Sequence, residues 1–470
     1  MPDASSVARA SGPATRLDVD VCVVGAGFAG LTAALRLRQA GLAVLVLEAR
    51  DRLGGRVYTQ YLADGTAIER GGAWLGPGQD RAYALVAEMG ATTYPTWVRG
   101  DNVIVLKGAA RRYRGTTPLA IGPVQLANLA VAMTRLDRMA RKVPLEAPWE
   151  AAHARRWDGR TVGAWLEENM LPGIGRTLLR QVLGDIFTSD PAEVSLLAAL
   201  FLIHSHQNLT HLTTSEGGAQ QDRVAGGLGA LLGRMHELLG DAVRLASPVR
   251  EIAQSRDAVT VVATDLTVHA RRAIVAVPAA ISSRIAYEPA LPIDRALLMQ
   301  RMPLGAMWKI ALVYDAPWWR EDGFSGQSLD TDSPLPLTLD ACGVRTPPGI
   351  LNVFSAGPSA RKIARLSPAE RQNTVVETLS KRFGPQARRV ADYIEQDWTS
   401  EVWTGGAMVS RLGPGVLTAF GPALREPVGR VHWAGTETAT VTYGGIDGAI
   451  RSGERAAREV VDAEHGPASE

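Results

Sequence analysis

The first strong pattern in the chain is the apolar run Val19-Asp20-Val21-Cys22-Val23-Val24, followed by Gly25-Ala26-Gly27-Phe28-Ala29-Gly30. Leu31, Ala34, Leu35 and Leu37 then recur at helical spacing and stop near Gly41, and a second β-rich run, Ala43 to Leu47, closes on Glu48. This is the order strand, glycine turn, helix, strand. From about 95 to 223 the pattern changes to helices, including Leu126 to Val143, with loops marked by Pro118, Pro123, Pro144, Pro148 and Pro172. Alternation typical of strands returns from Ala242 to Val277, and a second excursion runs from Met299 to Trp398. The C-terminal part reads as a strand at Arg430 to Trp433, a polar loop, and a long last helix opened by Gly444-Gly445. No repeat at solenoid period is present.

The glycines have mechanical reasons. Gly25 allows the tight turn, Gly27 lets backbone amides approach a pyrophosphate, and Gly30 permits close packing of helix on strand. The helix N-terminus then faces the phosphate. Glu48 follows the third glycine at the distance of an acid that accepts from ribose hydroxyls. A second glycine pair with fixed positive charge, Ala49-Arg50-Asp51-Arg52-Leu53-Gly54-Gly55-Arg56, suits a resident dinucleotide gripped from both sides better than a transient nicotinamide.

Composition removes several function classes. The 50 basic and 48 acidic side chains nearly cancel, which argues against a nucleic-acid partner or a polybasic membrane binder. Arg135, Arg138, Arg141 and Lys142 read as a solvated helix face. No apolar run approaches the ~20 residues of a membrane span, Met1 to Arg16 lacks a signal-peptide core, and Arg458 to Glu470 is charged. The expectation is a cytoplasmic protein with no membrane partner. Cys22 and Cys342 cannot build a disulfide framework, and His204, His206 and His211 lack ligand spacing and acidic neighbours, so no metal is expected. No nucleophile elbow or P-loop lysine supports a hydrolase or NTPase.

The segment from Gly25 to Arg56 resembles the N-terminal signature of the FAD-dependent monoamine oxidase family, within the amine oxidase superfamily. The likeness continues through Glu69-Arg70-Gly71-Gly72-Ala73-Trp74-Leu75-Gly76-Pro77, similar to the family's stretch beside the flavin. It implies an α/β flavoprotein of the GR2 type. Its Rossmann-like FAD-binding domain is expected from residues 18–93, 225–298 and 399–465, and an inserted α+β substrate domain from 94–224 and 299–398. Residues 1–17 and 466–470 are expected to be disordered tails. Cofactor contacts are implied for Gly25, Gly27, Phe28, Ala29, Gly30, Glu48, Ala49, Arg50, Gly54, Gly55, Arg56, Gly72, Ala73, Trp74, Val249, Trp398, Gly435, Thr436, Glu437, Gly445 and Ile446. Free amides near Gly445 and Ile446 would stabilise reduced flavin at a helix N-terminus.

Lys309 lies on a strand face with Met307, Ala311 and Val313, where an ammonium needs compensation. On residues alone it is either an edge-strand lysine reaching solvent or a functional group. The resemblance matches it to the family's lysine that holds a water against flavin N5, and makes it the catalytic residue. Two departures stand beside these matches. Ala407, in Thr404-Gly405-Gly406-Ala407-Met408, replaces the cysteine that bonds flavin in mammalian enzymes, so FAD is expected to be non-covalent. Met408 and Gly445 replace the two cage tyrosines, leaving Tyr443, Trp308 or Trp74 as candidate walls. Gln220 is either a substrate contact or a linker residue.

The implied reaction is oxidation of an amine C–N bond by hydride transfer to flavin N5, giving an imine and then an aldehyde or ketone, with H2O2 formed on reoxidation by O2. Alternatives are a flavin oxidase or dehydrogenase acting on a secondary amine, polyamine, amino acid or biosynthetic nitrogen intermediate, and a non-catalytic FAD-binding protein. The resemblance is compatible with a homodimer.

Overall fold

The structure is a computed structural model that describes residues 15–116 and 118–465. Thr15–Val24 is the central strand of an eight-stranded sheet because its residues from Val21 to Val24 are almost sealed from solvent and both its edges are paired. It runs parallel to Val44–Leu47 on one side, with Val24 opposite Leu47, and to Leu266–Val275 on the other, with Val24 opposite Val275. Thr15, Arg16 and Leu17 pair with Leu266, Thr267 and Val268, so the strand begins inside the segment expected to be a tail; the ladder holds them. Residues 1–14 and 466–470, the rest of those two tails, lie outside the described residues.

The sheet order continues through Val259–Ala263, Val249–Gln254 and Ala286–Glu288 on one flank and Val243–Arg244 on the other. Val431–Trp433 pairs with Leu266–Val275. Thus segments far apart in sequence complete one sheet: residues 21–24 of its central strand Thr15–Val24, with Val44–Leu47 and Val431–Trp433, are buried, while the flanking Val249–Gln254 and Ala286–Glu288 expose polar residues. The Phe28–Gln39 helix covers this sheet and is itself covered by the last helix, Ile446–His465.

A second, seven-stranded sheet has the order Asp392–Asp397, Met307–Tyr314, Gly349–Ala356, Leu337–Asp340, Phe324–Asp330, Asp101–Leu106, Ala109–Tyr113. Helices Pro123–Ala140, Ile174–Phe187 and Leu196–Ser205 share one apolar core beside it. Pro123 occupies the first helical turn, where its missing N–H costs nothing. Arg135, Arg138, Arg141 and Lys142 are exposed, as a solvated face requires. Thr93–Pro95 pairs with Asp222–Val224, so the chain enters and leaves the first excursion side by side. No described helix is long and apolar enough to cross a membrane.

The two helices over the nucleotide-side sheet touch at backbone distance. A Cβ built on Gly453 would lie 2.3 Å from the Ala29 carbonyl oxygen. G453A must therefore push the last helix off the Phe28–Gln39 helix. The expected loss is about 1–3 kcal/mol, read as a lower chemical-denaturation midpoint with unchanged m; an unaltered midpoint would show that the helices can separate without cost.

Candidate active site

A single cavity of about 740 Å³ runs between the two sheets and the helical layer. Its nucleotide end is built by the βαβ unit. The Glu48 carboxylate accepts from the Ala26 N–H at 2.8 Å and the Arg50 N–H at 3.0 Å, which fixes the strand end and the first glycine turn together. The Gly54 N–H donates to the Ala26 carbonyl at 2.9 Å and docks the second glycine pair on the first.

Gly25 has φ +104°, and a Cβ on Gly30 would fall 1.9 Å from the Gly25 carbonyl oxygen; both positions require glycine. Gly27 has another reason. A Cβ there would meet no protein atom nearer than 3.8 Å, so the space it leaves open belongs to the cavity. The Phe28–Gln39 helix has no side-chain cap and no acid in its first turn, leaving its initial amides for an anion. This donor set fits the pyrophosphate and ribose of FAD.

The lining includes Gly25, Gly27, Phe28, Ala29, Glu48, Ala49, Arg50, Gly54, Gly55, Arg56, Gly72, Trp74, Gln220, Val249, Lys309, Trp398, Met408, Gly435, Thr436, Gly445 and Ile446. Gly30, Ala73, Glu437, Trp308 and Tyr443, also expected at the site, are not in it. Gly30 packs helix on strand, and Ala73 is buried beside lining residues. Glu437 is paired with the lining residue Arg56, whose guanidinium donates to it at 2.7 and 3.0 Å while Ser410 Oγ donates at 3.1 Å. Burial pushes the Glu437 carboxyl up, but Arg56 overcomes this and leaves it below the usual range. Arg50 is likewise matched, donating to Glu401 at 2.9 Å.

Two candidate walls are corrected. Trp308 alternates to the opposite face of its strand from Lys309 and lies in the core under the Arg371 guanidinium, 4.1 Å from the ring centre. Tyr443 packs on Phe201 at 5.2 Å, and burial raises its phenol pKa beyond any physiological range. The aromatic lining comes instead from Trp74 and from Phe28, Tyr113, Phe354, Trp398 and Trp403. Met408 and Gly445 line the cavity without supplying a ring. The Gly445 N–H also differs from expectation: it donates to the Thr442 carbonyl at 2.9 Å. The uncommitted amides of the last helix therefore begin at Ile446.

Lys309 is no edge lysine. Its strand lies between Asp392–Asp397 and Gly349–Ala356, and the residue is 3% exposed. Nζ donates to the Gly71 carbonyl at 2.8 Å and sits 5.0 Å from the Trp74 ring centre and 5.6 Å from that of Phe354. Burial lowers its pKa to about 7 against the opposing field of Glu69, whose own carboxyl is raised by burial. The strand face explains the placement, since Met307 and Lys309 meet the cavity while Ala311 and Val313 enter a small core with Ile68.

Burial lowers the His206 pKa to about 4, keeping it neutral; its Nδ1 lies 3.2 Å from the Leu202 carbonyl and 3.1 Å from Ser205 Oγ. No metal-competent cluster of three His, Cys, Asp or Glu residues exists among the described residues.

The main residue missed in the sequence is Asp185. Leu178, Leu179, Val182, Asp185 and Ile186 form one stripe of the Ile174–Phe187 helix toward the cavity, and the signal was a carboxylate interrupting that apolar period.

The family model for flavin containing amine oxidoreductase matches residues 28–461. A Mycobacterium tuberculosis protein assigned as the flavin-containing monoamine oxidase AofH is 39% identical over 94% of this chain and 96% of its own length. An L-amino acid dehydrogenase of Synechocystis is 34% identical over 94% of each chain. The solved structure of a putrescine oxidase bound to putrescine superposes with a TM-score of 0.91 at 34% identity, over 95% of this chain and 100% of that one.

The buried ammonium gives a pH signature. Between about 7 and its unfolded value of 10.5, Lys309 binds more protons unfolded than folded, so its contribution makes stability rise with pH across that window. Below pH 7 the burial penalty is fully present. Relative to K309M, wild-type thermal stability should improve from pH 7 to 10, measured by flavin-release melting; a constant difference would contradict a depressed Lys309 pKa.

Proposed function

The chain belongs to the flavin-containing amine oxidoreductases and is an FAD-dependent enzyme acting on amines, and from that premise we propose how its own residues serve the reaction. The observation that carries the reading is one buried lysine, Lys309, in an apolar, aromatic-walled cavity continuous with the dinucleotide cradle. Bound FAD would supply the redox chemistry, a two-electron oxidation of the amine at its α-carbon by hydride transfer, with O2 as final acceptor and H2O2 as its product. Glu48, the two glycine loops and the uncapped helix start hold the nucleotide half; Arg56 and Arg50, each neutralised by a glutamate, keep the loops around it in place. Attachment is non-covalent, since neither cysteine lines the cavity.

The leucine, isoleucine and aromatic lining disfavours a charged amine near the reacting carbon, so substrate binds there as the neutral base. With a pKa near 7, Lys309 Nζ can accept or release a proton and can anchor a water or an amine nitrogen from a fixed point on Gly71. The product imine is hydrolysed to an aldehyde or ketone.

Relatives differ in what they oxidise, and the cavity favours an amine lacking a carboxylate. Its four lining arginines, Arg50, Arg56, Arg250 and Arg284, all come from nucleotide-side segments, and none is contributed by the helices or the second sheet. An amino-acid substrate would need such a clamp.

K309M should retain yellow, FAD-loaded protein while peroxide production from an alkylamine falls at least about tenfold. Loss of FAD would make Lys309 a cofactor ligand, and an unchanged rate would remove it from the mechanism.

A further inference from the structure

Asp185 sits where a carboxylate is hard to justify structurally. It occupies the last turn of the Ile174–Phe187 helix, at the end whose dipole repels negative charge. It lies deep in the protein, partly open, on the stripe that faces the cavity. Its side-chain partner is the Gln181 amide, which donates at 2.8 Å, and no cation among the described residues offsets it. Burial accordingly raises its pKa to about 7. The other carboxylates near the cavity are committed: Glu48 to backbone amides, Glu437 to Arg56 and Glu401 to Arg50.

Among lining residues from the helices and the second sheet, the charged side chains are Asp185 and Lys309, and Lys309 is held on Gly71. Leucines, isoleucine, methionines and Phe354 make up much of the surface around them. A buried, unpaired anion in such a lining has lost its hydration and gains most from a ligand that brings a positive charge.

We propose that Asp185 is a specificity-determining residue that binds a second, protonated amino group of the substrate, so that the cavity prefers aliphatic diamines to monoamines of the same length. The inference rests on the amine-oxidase reading above and adds the substrate class. The reacting nitrogen enters as the neutral base against the apolar and aromatic wall. The remote nitrogen stays an ammonium and donates to the Asp185 carboxylate. A substrate ending in a carboxylate would instead place two negative charges together and be rejected.

The test uses FAD-loaded enzyme and kcat/KM for α,ω-diamines of three to eight carbons, each beside its n-alkylamine, with 4-aminobutanoate as the anionic comparison. For wild type, at least one diamine should exceed its monoamine about tenfold or more, and 4-aminobutanoate should be inert. D185N should reduce that diamine-to-monoamine ratio at least about tenfold, chiefly through KM for the diamine. A wild-type series in which no diamine exceeds its monoamine, or a D185N ratio equal to wild type, overturns the proposal. The wild-type series decides the matter even where D185N is unstable. Turnover of monoamines without diamine preference leaves the amine-oxidase reading standing and sinks only the role of Asp185, whereas failure of every amine to reduce the flavin sinks both.

Discussion

The hydrogen bond from Lys309 Nζ to the Gly71 carbonyl is the constraint around which the site is arranged. It joins the central region of the second sheet to a loop from the nucleotide side, and it does so with a group that burial makes costly to charge. A neighbouring bond repeats the connection: Trp398 Nε1 donates to the Arg70 carbonyl at 2.9 Å. Gly71 has no room for a side chain, because a Cβ would lie 2.3 Å from the Arg56 carbonyl oxygen and 2.9 Å from the Trp398 ring. The loop is therefore held by its backbone, through two bonds from the second sheet, at the place where the cavity passes from dinucleotide cradle to apolar chamber.

The nucleotide half was legible in the sequence for a physical reason. Its function depends on local backbone geometry, and a strand, three glycines, a helix and an acid within thirty residues write that geometry directly into the chain. Strand alternation also put Lys309 on the face with Met307, Ala311 and Val313, which the structure retains. Sequence could not tell an edge strand from a central one. That distinction depends on Asp392–Asp397 and Gly349–Ala356 flanking it, pairings made from dozens of residues away.

The chamber was less legible because it is assembled from single residues on many elements. Trp308 and Tyr443 were candidates by proximity in sequence, yet strand alternation turned the first into the opposite core and helix packing drew the second against Phe201. Phe354 and Trp403 became walls through tertiary placement alone. Asp185 left a fainter trace, a polar interruption in an apolar helical stripe, whose meaning depends on knowing that the stripe faces a cavity instead of a core. The cradle fixes the chemistry, and the less local chamber selects what is presented to it.

The central claim is that this chain couples an amine to its flavin. Its most direct test is an anaerobic absorbance titration of the FAD-loaded protein with mono- and diamines, followed by admission of air and assay of peroxide. An amine is expected to bleach the yellow absorbance without oxygen, and air to restore it with formation of peroxide. A flavin that stays oxidised in the presence of every amine would contradict the claim.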